Sequence, residues 1–321
     1  MKTIGILCGG FSSEYEISVK SARTIQENMP ESYQGLIVEV QRDDWWVHWK
    51  EGKYRLLRPE MRFETGDESV TLDAVIIYIH GNPGENGRLQ AYFDMIDFPY
   101  VNSGALPSAL SFDKWFCNQF LKGFGIPVAD SVLLRNREQV ESDSICNRLG
   151  LPCFVKPADS GSSYGISRVN VREDLDAAIE KAFEEGDTVV IESFLQGTEV
   201  TCGVYRNTSG IQALPLTEIV TDQEFFDYEA KYLGKSQEIT PARISQELTK
   251  KVQDLSIRIY ELLQLASIAR IDFMLVGDEA YVIEVNTTPG FSKESIVPKM
   301  IHTKGITIRD FWKEILDAEL A

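Results

Sequence analysis

Residues 269–290 read ARIDFMLVGDEAYVIEVNTTPG, two apolar runs on either side of a short GDE turn. Runs of this length, rich in Ile, Val, Phe and Tyr and broken at a glycine, predict an antiparallel strand pair. Pairing ARIDFMLVG with EAYVIEVN brings Asp272, Glu284 and Asn286 around one point. Asp272 and Glu284 lie in strongly apolar strands, where two carboxylates need a compensating cation. Three oxygen-bearing side chains suit a hard, octahedral Mg²⁺ that keeps water or phosphate ligands. The plainer alternative is a charged strand pair at a surface.

Upstream, residues 3–8 read as a buried strand, followed by the glycine-rich GGFSSE and a helix from about residue 14 to 28. YQGLIVEV and LDAVIIYIH supply two more strands, so the amino-terminal part is an α/β layer. WWVHWKEGKYRLL reads as a hairpin, and its Trp45, Trp46 and Trp49 as packing groups rather than base-stacking platforms. SFDKWFCNQFLKGFG has helical spacing and ends at Gly-Ile-Pro, which places a domain boundary near residues 104–124. VADSVLL, a helix around 136–149, CFVKPA, ISRVNV, a helix near 173–185 and TVVIESF form a small α+β unit. Residues 199–220 read as two antiparallel strands, and 222–243 as a long polar and aromatic loop without a period. A helix over 245–265 and an amphipathic closing helix in ITIRDFWKEILDAEL complete the chain.

The 321 residues allow two or three domains with substantial cores. With 49 acidic against 32 basic side chains, a net charge of −17 disfavours binding to nucleic acid or to an anionic membrane, while local basic pockets for small anions stay allowed. No segment has the roughly 18 to 20 apolar residues of a membrane span, and the start MKTIGILCGG is not signal-like, so a soluble cytoplasmic protein is expected. Five scattered cysteines fit a reducing compartment, and His48, His80 and His302 lack the spacing of a zinc site.

Two lysines precede phosphate-binding candidates, Lys114 in SFDKW and Lys156 in FVKPADSGSSYG. A lysine at a strand end neutralises phosphate, and a GSS turn offers convergent N–H donors, although neither segment has the G-x-x-x-x-G-K-[ST] pattern. Lysine, loop and a downstream Asp/Glu/Asn cluster together point to ATP with Mg²⁺ and to phosphoryl transfer.

These elements in this order resemble the D-alanine–D-alanine ligases of the ATP-grasp superfamily. The resemblance runs from GGFSSEYEISVKSA at 9–22 through HGNPGENGRLQ at 80–90, FVKPADSGSSYG at 154–165 and FDYEAKY at 226–232 to ARIDF and EVNTTPGFSKES. It implies an α/β and α+β ATP-grasp fold, with an amino-terminal open α/β substrate domain (1–113), a central subdomain (114–196) and a carboxy-terminal catalytic domain (197–321) that includes a lid at 222–243. ATP would lie between the central and carboxy-terminal domains, held by Lys114, Lys156, Ser162 and Ser163, with Glu192 and Glu199 on the adenosine side and Lys231 reaching phosphate from the lid. Asp272, Glu284 and Asn286 would hold Mg²⁺ or Mn²⁺, as two ions.

By the same resemblance Glu14 receives the ammonium group of the first D-alanine and is linked to Ser162 and Tyr232; read locally, Glu14 is as well explained as a helix cap. His80, supported by Glu85, would sit at the first carboxylate, Arg270 and the Gly290 N–H at the tetrahedral oxyanion, and Ser295 and Ile296 at the second substrate. The implied reaction activates the first D-alanine as D-alanyl phosphate and releases ADP and phosphate, in a homodimer that supplies peptidoglycan synthesis.

Asn86, Ala91, Thr288, Ile296 and Val297 depart from the commonest family pattern, which bears on pocket shape and substrate preference. The Lys231–Tyr232 pair favours an amine over D-lactate as nucleophile, and Ile296 leaves D-serine open as an acceptor. Another ATP-grasp carboxylate–amine ligase and a noncatalytic nucleotide-binding protein are the alternatives; ADP release across pairs of D- and L-amino acids separates them.

Overall fold

The computed structural model describes residues 1–135, 141–158, 165–221 and 236–321, and they build three main sheets. The first takes β1 (Lys2–Gly9), β2 (Tyr33–Val40), β3 (Trp45–Trp49), β4 (Gly52–Arg55), β7 (Ala74–Ile77) and β8 (Tyr100–Val101) in the order β4-β3-β2-β1-β7-β8; β5 (Arg62–Glu64) and β6 (Ser69–Thr71) pair beside it. β2, β1, β7 and β8 run parallel, joined through α1 (Tyr15–Glu27) and α2 (Arg88–Met95), and α3 (Ala105–Phe112) follows. The connections after β1 and after β7 therefore leave the same edge of the sheet, where open α/β sheets place their ligands. Trp45 packs edge-on against Tyr92 and Phe93 at 5.8 and 6.0 Å, and Trp49 against Phe63 at 5.9 Å, so these two tryptophans of the hairpin serve the core.

α4 (Lys114–Gly123) begins where the Asp113 carboxylate accepts a hydrogen bond from the Phe116 N–H at 3.0 Å. The second sheet, β11-β10-β12-β9, is antiparallel and comprises β9 (Ser131–Arg135), β10 (Cys153–Pro157), β11 (Ser167–Val169) and β12 (Thr188–Ser193). α5 (Ser142–Leu149) and α6 (Leu175–Phe183) cover it, burying Leu134, Val155, Ile191, Leu175 and Phe183 in a core of their own.

The third sheet holds β13 (Thr198–Asn207), β14 (Gly210–Ala213), β15 (Thr217–Thr221), β16 (Ser236–Ile239), β17 (Ile268–Val276) and β18 (Glu279–Asn286), ordered β16-β15-β13-β17-β18 with β14 beside β13. Residues 199–220 thus hold three strands rather than two. The segment read as a loop over 222–243 contains β16, an edge strand of four residues whose register comes from β15 (Glu218 opposite Ile239); so short a strand shows no period in sequence. Residues 222–235 lie outside the described residues.

α7 (Gln246–Leu262) packs on this sheet, and α8 (Ile296–Lys304) and α9 (Ile308–Glu319) close the chain. Phe291, Val297, Phe311 and Trp312 enter the same buried cluster as Ile4, Ile6, Ile76 and Tyr78, so the first and third sheets share one core. α4 adds Cys117 and Leu121 to a further core under β13 and β17, while its Lys114 N–H donates to the Ala158 carbonyl at 3.0 Å. It therefore bridges the second and third sheets. Among the described residues no helix is long and apolar enough to cross a membrane, and all five cysteines are free.

Candidate active site

One cavity of about 1100 Å³ lies where the three sheets meet. Fourteen of the eighteen residues singled out from sequence line it: Glu14, His80, Glu85, Lys114, Lys156, Glu192, Glu199, Arg270, Asp272, Glu284, Asn286, Gly290, Ser295 and Ile296. The other four, Ser162, Ser163, Lys231 and Tyr232, lie outside the described residues, as do 160–164 of the glycine-rich loop.

The β17–β18 pair behaves as its sequence predicts. Asp272 stands opposite Glu284 and Arg270 opposite Asn286, with a β-bulge after Asp272 that breaks the register. Arg270 holds both Asp272 oxygens in a fork, Nε and Nη2 each donating at 2.8 Å, the planar geometry in which guanidinium and carboxylate match best. Thr201 Oγ1 on the neighbouring β13 donates to Asp272 Oδ1 at 2.5 Å, and Asn286 Nδ2 to Oδ2 at 3.2 Å. Asp272 is buried, and these contacts are what make its charge tolerable there.

Lys114, in the first turn of α4, reaches Glu284 at 3.8 Å. Lys156 and Glu192 form the tightest pair at 2.7 Å, both buried. Glu192 faces Phe154 across β10 and β12, and Lys156 is two residues along on the same face, the diagonal that long side chains span between antiparallel strands. Each of these cations is thus charge-compensated within the chain. Asp272, Glu284 and Asn286 fit a divalent ion by donor chemistry, since two carboxylates and an amide oxygen are hard ligands. Among the described residues no cluster combines three His, Cys, Asp or Glu side chains.

The amino-terminal corner of the cavity is built differently. Glu14 occupies the N-cap of α1, yet its side chain makes no capping hydrogen bond, so helix capping does not account for it. His80 is buried, its Nε2 3.2 Å from Ser21 Oγ; burial pulls the imidazole pKa down, while the nearby Glu14 charge acts the other way. Glu85 Oε2 accepts the Gly81 N–H at 2.6 Å. Burial, and then the charge of Glu14, push the Glu85 carboxyl up to about 8.

The third sheet's loop closes this corner. Tyr78 donates to the Pro289 carbonyl at 2.7 Å, the Phe291 N–H donates to Ser21 Oγ at 3.1 Å, and Asn102 Nδ2 donates to Thr288 Oγ1 at 3.0 Å. A Cβ on Gly290 would come within 3.1 Å of Ser295 Oγ, so glycine keeps this strip of backbone clear. Ser295 is the N-cap of α8, and its Oγ accepts the Ser292 N–H at 3.0 Å, leaving the helix end and its positive dipole toward the cavity with Ile296 beside it.

Sequence reading missed Thr201, Ser21 and Tyr78. Only Tyr78 carried a usable signal, as the polar-tipped residue at the end of LDAVIIYIH just before His80. Thr201 and Ser21 act across 71 and 59 residues of chain, where nothing local announces the partner.

The family model described as D-ala D-ala ligase N-terminus matches residues 3–103, and that described as D-ala D-ala ligase C-terminus matches residues 120–317. A D-alanine--D-alanine ligase of Bacteroides fragilis is 44% identical over 319 residues, 98% of either chain. Among solved structures, the VanG D-Ala:D-Ser ligase from Enterococcus faecalis superposes with a TM-score of 0.88 at 31% identity over 98% of each chain. The D-alanyl-alanine synthetase A from Vibrio cholerae gives 0.88 at 27% identity over 100% of this chain and 99% of its own.

Proposed function

Because the chain belongs to the D-alanine–D-alanine ligase family, with that family's three-domain α/β ATP-grasp architecture, and ligates two D-alanines at the expense of ATP for peptidoglycan synthesis, we propose that the cavity between the sheets divides into a nucleotide side and an amino-acid side. The observation that carries this is the convergence of Lys114, Lys156, Arg270, Asp272, Glu284 and Glu14 from all three sheets on one space of about 1100 Å³.

On the nucleotide side, Lys114 and Lys156 neutralise the phosphates, assisted by Ser162, Ser163 and Lys231, while Glu192 and Glu199 accept hydrogen bonds from the adenosine. Asp272, Glu284 and Asn286 would hold Mg²⁺ or Mn²⁺, as two ions, and the bound metal would neutralise charge on the phosphoryl group. On the amino-acid side, Glu14 pairs with the ammonium group of the first D-alanine, with Ser162 and Tyr232 assigned to the same step by family resemblance alone, and His80, supported by Glu85, meets its carboxylate.

A carboxylate oxygen of that D-alanine attacks the γ-phosphorus, the bond to the ADP oxygen breaks, and D-alanyl phosphate and ADP result. The neutral amine of the second D-alanine, placed by Ser295 and Ile296, then attacks the acyl carbon. Arg270 and the Gly290 N–H stabilise the oxyanion that forms, and phosphate departs as the C–O bond breaks, carrying away the proton that the amine nitrogen loses. Water must be kept from the acyl phosphate, the task we assign to residues 222–243. Domain limits at 1–113, 114–196 and 197–321, a cytoplasmic homodimer and the absence of nucleic-acid or membrane partners belong to the same proposal; the separate core of the second sheet and the net charge of −17 support it.

The test is ADP release coupled to mass measurement of the product. The expected result depends on D-alanine and on a divalent ion, gives D-alanyl-D-alanine, and shows little turnover with L-alanine. ATP binding without turnover on any amino-acid pair would sink the reading, and D-serine as second substrate measures how far the Ile296 pocket discriminates.

A further inference from the structure

Glu14 has to hold its carboxylate in place, yet the helix it starts has no side-chain cap. The next residue, Tyr15, begins α1 and turns away from the cavity toward β2. There Tyr15 Oη donates a hydrogen bond to Glu39 Oε1, and Glu39 also accepts from Gln41 Nε2 at 2.8 Å, Lys53 Nζ at 2.7 Å and His48 Nε2 at 3.2 Å. Three donors from the end of β2 and from the β3–β4 hairpin thus join Tyr15 of α1 on one carboxylate. The Tyr15 ring lies over Gly9, whose φ is +89°; a Cβ there would stand 2.9 Å from Tyr15 Cε2, so only glycine admits the ring. None of Tyr15, Glu39, Gln41, His48 or Lys53 lines the cavity.

Burial raises the cost of the Glu39 charge, but the hydrogen bonds from Lys53, Tyr15, His48 and Gln41 outweigh it and hold the carboxyl down to about 2. Burial, and then Glu39, push the Tyr15 phenol up to about 12, so it remains a donor. The contact is therefore a charge-assisted bond between a fixed acceptor on the sheet and the residue adjoining Glu14.

We propose that Tyr15 and Glu39 are positioning residues for the first amino-acid site: the Tyr15–Glu39 bond locks the start of α1 against the sheet and so sets where the Glu14 carboxylate stands. This rests on the reading of Glu14 as the partner of the first ammonium group. The lock acts on substrate placement and not on the phosphates, because Lys114 and Lys156 hang from other elements.

Initial rates over a wide range of D-alanine concentration resolve the two amino-acid constants and test this in the full-length enzyme. Tyr15→Phe keeps the ring over Gly9 and removes only the donor. It is expected to raise the first-site constant about tenfold, the scale of a hydrogen bond to a charged acceptor, with the second-site constant and the KM for ATP unchanged. Tyr15→His, which restores a donor, should recover part of the loss. In a Glu14→Gln background the Tyr15→Phe change should have no further effect on the first-site constant. An unchanged first-site constant in Tyr15→Phe overturns the proposal, as does a rise shared equally by all three constants. Glu14→Gln alone with an unaltered first-site constant instead overturns the reading of Glu14.

Discussion

The two sides of the cavity rest on different foundations. His80, Arg270, Gly290 and Ser295 stand on a core shared by the first and third sheets, in which Tyr78, Phe291, Phe311 and Trp312 pack together; Tyr78 and Trp312 have ring centroids 5.9 Å apart. Lys156 and Glu192 stand on the four-stranded sheet, whose core of Leu134, Val155, Ile191 and Phe183 is separate. Acyl transfer demands sub-ångström placement of donors about an oxyanion, which one continuous packing unit supplies. Holding a nucleotide demands less, and a sheet with its own core meets it.

Trp312→Ala tests that contrast hardest. Removing a fully buried indole from the shared core should cost about 3–5 kcal/mol in denaturant unfolding and disturb the amino-acid constants as well. Ile191→Ala, of the order of 2–5 kcal/mol, should move only the unfolding of the four-stranded sheet; equal displacement of a single transition by both variants breaks the comparison. Arg270→Ala comes next. It should lower kcat about 10²- to 10³-fold, followed as ADP release at saturating D-alanine, and robust ligation by R270A removes Arg270 from the oxyanion.

Lys156→Met should raise the KM for ATP roughly tenfold or more while leaving the D-alanine constants alone, since it strips the partner from a buried Glu192 on the nucleotide side only. A matching rise in the D-alanine constants would mean the two sides are not separable.

The smallest effect is one of pH. Glu85 is raised from 4.5 to about 8 in the folded chain, so between those values the unfolded state has lost a proton that the folded state keeps. Its contribution to stability is fully present below about 4.5 and is lost as pH rises toward about 8. Metal-free protein should therefore lose stability relative to Glu85→Gln across that window, at no more than about 1.4 kcal/mol per pH unit. Parallel unfolding midpoints for the two proteins would place the Glu85 carboxyl in an ordinary environment.

What could be read from sequence follows the same division. β17 and β18 were legible because carboxylates inside apolar runs are costly and the GDE turn fixes their pairing, so Asp272, Glu284 and Asn286 came out together. Lys156 was legible beside its glycines. Most of the remaining cavity residues, Glu14, His80 and Ser295 among them, became visible only through family resemblance, because a lone Glu before a helix or a lone His after a strand has a bland explanation in local terms. The shared core was not legible at all. It joins Tyr78 to Pro289 across 211 residues and Ser21 to Phe291 across 270, and neither periodicity nor turn chemistry records contacts at that range. β16 was hidden for the opposite reason, being too short to show alternation.

The pairs Arg270–Asp272, Lys114–Glu284 and Lys156–Glu192 also dictate the manner in which ligands arrive. A bare divalent ion drawn to Asp272 and Glu284 would have to compete with Arg270 and Lys114 for the same carboxylates. A metal–nucleotide complex brings a substitute for each divorced partner at once: phosphate for the cations, metal for the carboxylates. Calorimetric titration with Mg²⁺ alone should accordingly register little heat, and the ion should enter as the escort of ATP rather than ahead of it.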